Sequence, residues 1–116
     1  KVKIPDVNNA LKITLWKGPT ILKTETVNVT KADTEHVFDI ADISLTKGSE
    51  YAITMNSNDW YKRTITDGSN ATYPSAIGFL KFTAFKTIDG TSQTLPTTSV
   101  SNAYYGDLSF DYLVVY

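Results

Sequence analysis

Apolar and polar residues alternate with a period of two in segment after segment of this 116-residue chain, and no apolar stripe recurs at helical spacing. Leu11, Ile13 and Leu15 alternate with Lys12, Thr14 and Trp16. The next run, Ile21 to Thr30, is rich in β-branched residues and follows a Lys17-Gly18-Pro19-Thr20 reversal. Thr34 to Ile40 continues the pattern, with His36, Phe38 and Ile40 on one face and the buried face left open. Tyr51, Ile53 and Met55 share a face in Glu50–Asn56. Trp60 to Thr66 gives a further short strand. Ile77 to Ile88 is the longest strand candidate, its glycine, threonine and three phenylalanines favouring sheet over helix. Leu108 to Tyr116 predicts a regular last strand, central in its sheet.

Lys1–Pro5 alternates too, but it stops at a residue with no backbone N–H and predicts a short edge strand. Turn signals stand between the runs: Asp6–Ala10, Lys47-Gly48, Asp67-Gly68-Ser69-Asn70 and Asp89-Gly90. Short strands at roughly ten-residue spacing, divided this way, predict an all-β, two-layer antiparallel β-sandwich of jelly-roll type. An immunoglobulin-like sandwich is the alternative, and its disulfide spacing has no counterpart in a chain without cysteine. The length suits one domain spanning 1–116, and a chain that opens at Lys1 reads as a processed product or a fragment of a longer protein.

Composition narrows the function. Eleven basic and 12 acidic residues leave a net charge of -1, which gives no field to concentrate phosphates, so a nucleic-acid partner is not expected. The apolar runs are too short for membrane insertion. With no cysteine there is no disulfide, thiolate metal site or cysteine nucleophile. Two sequons, Asn28-Val29-Thr30 and Asn70-Ala71-Thr72, are short enough to arise by chance.

The segment from Asn56 to Pro74 differs from its surroundings, crowding amides, carboxylates and small polar residues around aromatic rings. Trp60 and Tyr61 adjoin Asn58 and Asp59, and Tyr73 lies further along. A flat ring set against the apolar face of a pyranose supplies contact area, while amides and carboxylates orient its hydroxyls. These five residues are the candidate ligand site. The competing reading has one of the two adjacent rings closing the core, since neighbours in a strand point to opposite faces. Trp16 is either an exposed platform or a ring packed under a loop, and Tyr104 and Tyr105 are candidates for the same aromatic rim as Tyr73.

Asp59, Asp67, Asn70 and Asp107 are oxygen ligands of a kind calcium accepts, but without the spacing of an EF-hand loop; Asx turns explain them as well. No other cofactor is expected. His36, the single histidine, lacks suitably spaced metal-ligand partners and a nucleophile elbow. Glu25, Glu35 and Glu50 read as solvated strand positions rather than a glycosidase pair, so no enzyme activity is expected.

Three stretches carry a family likeness: Leu11-Lys12-Ile13-Thr14-Leu15-Trp16, Leu45-Thr46-Lys47-Gly48-Ser49-Glu50-Tyr51, and Gly106-Asp107-Leu108-Ser109-Phe110-Asp111-Tyr112. The chain resembles the jelly-roll accessory domains of bacterial secreted and surface proteins, including the uncharacterised group numbered 4082 among domains of unknown function. The resemblance implies an extracellular or cell-surface module that binds glycans or spaces other domains. Its partners would be a glycan or a neighbouring domain of the same protein, and it assigns no ligand residue.

Overall fold

In the computed structural model, which describes residues 1–57, 61–65, 67, 75–105 and 108–114, the alternating segment around Leu11 becomes the centre of the principal sheet. Strand β1 (Asn8–Lys17) folds back on β2 (Thr20–Val29), and β3 (Tyr51–Met55) pairs with the other side of β1, giving the antiparallel order β2-β1-β3. The β1–β2 reversal needs a positive φ followed by a negative one. Gly18 supplies the first at φ 54, and the ring of Pro19 fixes the second, the combination of a type II′ hairpin turn.

The two faces of this sheet are buried by different means. Leu11, Val27 and Val29 meet Val2 and Ile4 in the hydrophobic core, with Ile13, Phe38, Met55 and Leu108 packed around them. On the opposite face, Thr24, Thr14 and Thr54 stand side by side across the three strands. A buried hydroxyl must find a partner or destabilise the fold. Gln93 Nε2 answers that need, donating to Thr14 Oγ1 at 2.9 Å and to Thr24 Oγ1 at 2.7 Å.

Three further ladders are short. Strand β4 (Lys62–Thr64) pairs with β9 (Ala103–Tyr105), β5 (Ser75–Ile77) with β6 (Leu80–Phe82), and β7 (Phe85–Thr87) with β8 (Thr98–Val100). Every pairing is antiparallel and no helix occurs among the described residues. The fold is all-β, consistent with the sandwich expected from the alternation.

Several segments depart from their sequence readings, among them Asp6–Ala10, where the expected turn gives way to β1 at Asn8. Ile77–Ile88 is not one strand. Gly78 adopts φ 59 and, with Phe79, turns β5 into β6, while residues 83 and 84 separate β6 from β7. A glycine inside an alternating run marks a place where the backbone bends, and here it makes a hairpin. Lys1–Pro5 is not an edge strand either. Val2 is bridged on both sides, to His36 and to Leu108, and is 1% exposed.

Beyond those bridges neither pairing continues as a ladder among the described residues. Thr34–Ile40 forms a single bridge at His36 instead of a strand, turning Phe38 toward the core and leaving Val37 exposed. The expected central strand from Leu108 is likewise reduced to a bridge. It bridges Val2 and hydrogen-bonds through Ser109 to Lys1, and residues 109–114 then run on without a ladder.

The Leu45–Tyr51 motif closes on itself. Gly48, at φ 85, makes the Thr46–Ser49 turn, and the Thr46 N–H donates to Tyr51 Oη at 2.8 Å. A phenol tied to backbone a few residues upstream is also how the tyrosine corner pins β-sandwiches.

Candidate functional site

The polar central segment leaves the sheet at Asn56, directly after β3, and three hydrogen bonds fix that exit. Asn56 N donates to Lys12 O at 3.3 Å, and its Oδ1 accepts from Lys12 N at 2.7 Å. Its Nδ2 donates to Thr91 O at 2.9 Å. A single carboxamide thus continues the β1–β3 ladder by one rung and ties it to the loop that carries Gln93. Ser57 follows, buried at 5% exposure. Further on, β4 holds the backbone against β9, and Ile65 N donates to Asn102 O at 3.0 Å.

Of the five residues singled out for ligand contact, Tyr61 lies among the described residues; Asn58, Asp59, Trp60 and Tyr73 lie outside them. Tyr61 is half-buried just before β4. Its hydroxyl donates to Asp33 Oδ1, and Lys3 Nζ stands 5.2 Å from its ring centroid. An ammonium at that distance is drawn to the negative face of the ring. The phenol is therefore engaged with protein through both its hydroxyl and its ring.

Lys3 and Asp33 have no signal in the sequence. Asp33 takes the left-handed conformation at φ 54, which aspartate tolerates better than most residues, and its N–H donates to Ile4 O at 3.0 Å. The Tyr61 anchor is thus built on the same short N-terminal segment that fills the core.

Trp16 is not a platform. It is 6% exposed, and its Nε1 donates to Thr54 Oγ1 at 2.9 Å, as a buried indole requires. Tyr104 and Tyr105 fall in β9, but their side chains are outside the description. Among the calcium candidates, Asp67 is exposed in a turn, and Asp59, Asn70 and Asp107 lie outside the described residues. No group of three or more His, Asp or Glu side chains gathers among the described residues.

His36 serves the loop after β2. Its Nδ1 lies 2.8 Å from Thr34 O, and its Nε2 accepts from Thr30 N at 3.3 Å. The ring stacks on Phe38 with centroids 6.1 Å apart. Glu25 pairs with Lys23 at 3.3 Å on the surface of β2.

No protein-family model, curated protein or solved structure matches the chain.

Proposed function

We propose that the chain is a noncatalytic carbohydrate-binding or adhesion module of a secreted or cell-surface protein, similar to the jelly-roll accessory domains its motifs resemble. The observation that carries this reading is the anchoring of Asn56. A sheet with a buried core holds the start of a segment rich in rings and amides through three hydrogen bonds. Ligand groups set on a rigid edge lose less entropy on binding than groups on a free loop. In this reading Trp60, Tyr61 and Tyr73 are the aromatic contacts for a pyranose, and Asn58 and Asp59 the partners for its hydroxyls.

A glycan array with the purified chain, run with calcium and again with chelator, tests this directly. Binding of at least one glycan is expected, with affinity falling about tenfold in Trp60→Ala at unchanged folding. An array blank in both conditions overturns the reading. The second reading, a structural spacer that contacts neighbouring domains, is favoured by the exposure of Phe79 at 74% and Leu113 at 88%. Large apolar groups in the open suit contact with another protein surface. Burial of those two side chains against a flanking domain would support it.

A further inference from the structure

The register of the β1–β2 hairpin breaks at the end far from its turn. Asn8 pairs with Val29 and Leu11 with Val27, so β1 advances three residues where β2 advances two. The extra residue is a β-bulge, and a bulge re-aims side chains that regular alternation would send to opposite faces. Here it sets the neighbours Asn8 and Asn9 along one open cavity of about 530 Å³, completed by Val7, Asn28, Val29 and Thr30.

The chemistry of that cavity is uniform. None of its lining residues is charged. Asn8 Oδ1 accepts from Ala10 N at 3.0 Å, which orients that carboxamide and leaves its Nδ2 without a protein acceptor among the described residues. The carboxamides of Asn9 and Asn28, both exposed, make no hydrogen bond to protein among the described residues. Val29 is 1% exposed and forms the fixed floor, while Val7 presents an open apolar surface at the rim.

From this arrangement we infer a second ligand site, for a neutral saccharide, at the bulged end of the β1–β2 hairpin. Each carboxamide offers donors and an acceptor side by side. That pattern matches vicinal hydroxyls, which donate and accept in turn. An anion would find no positive charge in the lining, and a cation no carboxylate. Val7 provides aliphatic contact for the C–H face of a sugar ring. The inference rests on the proposed glycan-binding function for its ligand class alone, since it shares no residue with the Asn56–Pro74 segment.

The test is an NMR titration of the isotope-labelled chain with methyl glycosides of glucose, galactose and mannose, with N-acetylglucosamine, and with their short oligomers. The side-chain amide signals of Asn8, Asn9 and Asn28 are expected to shift and saturate with at least one of these sugars. Asn9→Ala and Asn28→Ala, both exposed positions, should each weaken that binding about fivefold, the loss of one hydrogen bond, with unchanged thermal melts. Trp60→Ala should leave it intact.

Shifts confined to the central segment and abolished by Trp60→Ala would overturn this site while leaving the aromatic one standing. Saturable shifts at the asparagines that Trp60→Ala does not alter, with no signal moving in the central segment, would retain this site and remove the other. Silence at all three asparagine amides at the highest sugar concentrations overturns the inference.

Discussion

The principal sheet and the stretch that follows residue 75 are both rich in strand-forming residues, yet they fold at different scales. β1 and β2 run for ten residues each and stay paired over that length, across two register shifts, from a single tight turn. After residue 75 each strand is three residues long, and each ladder ends almost where it starts. Alternation is present in both regions. What differs is whether an unbroken neighbour exists to receive it.

The Gly18-Pro19 turn brings β2 alongside β1 at the lowest loop cost, and the pair then extends rung by rung. Leu108–Val114 has no such neighbour among the described residues: it keeps one bridge, to Val2, and leaves Leu113 in the open. A strand needs a partner edge as much as a pattern.

The strongest way to break this comparison is to remove one leucine from each region. Leu11→Ala empties a fully buried position beside Val2, Ile4 and Val27 and should lower stability by about 2–5 kcal/mol in urea denaturation. Leu113→Ala should stay within about 0.5 kcal/mol. Equal losses would show that the C-terminal stretch packs as firmly as the hairpin, and the contrast would collapse.

A smaller effect separates the two glycine turns. Alanine at Gly18 meets only the cost of left-handed φ, about 1–2 kcal/mol, because nothing lies near its Cβ. Alanine at Gly78 meets the same cost, and its Cβ would also overlap the Tyr112 hydroxyl, which accepts from Phe79 N at 3.1 Å. Gly78→Ala should therefore be the more damaging, and Tyr112→Phe in the same chain should recover part of the difference in a double-mutant cycle. No recovery would mean that the C-terminal segment does not rest on the β5–β6 turn.

The smallest effect is electrostatic and sharpens the picture at the other edge of the sheet. The Thr46 backbone N–H donated to Tyr51 Oη stabilises the phenolate and holds this phenol below the usual tyrosine value, with Lys17 adding to the shift. For an acid whose folded pKa is depressed, the added stability is complete above the unfolded value, about 10, and disappears as pH falls through the folded one. Tyr51 should thus ionise ahead of an ordinary tyrosine when phenolate absorbance is followed. The stability gap between the chain and Tyr51→Phe should widen as pH rises toward that range. A titration unchanged by Tyr51→Phe would disprove the Thr46 contact.

Legibility followed sequence distance. The Gly18-Pro19 reversal, the strands on either side of it, and the Lys47-Gly48 turn were readable because each depends on residues a few positions apart. Gly78 sat inside a run read as one strand, although a glycine there was itself the mark of a bend. In the candidate site, the aromatic and amide content was plain from composition. The Asp33 and Lys3 partners of Tyr61 were not, since nothing local links them to it. The platform reading of Trp16 failed for a related reason. Parity placed its ring opposite Leu11, Ile13 and Leu15, but a face that parity leaves over is exposed only if no other segment covers it.

The amino-acid order by itself settled that this chain forms antiparallel β-structure and where its tightest hairpin turns, because period-two alternation and glycine conformation act over a few bonds. Only the tertiary structure decided that Val2 sits between two segments, that Gln93 bonds Thr14 and Thr24, and that the bulge at Asn8–Leu11 sets Asn8, Asn9 and Asn28 along one cavity. Those outcomes depend on which distant segments reach the same space, and no local rule about alternation or turns carries that information.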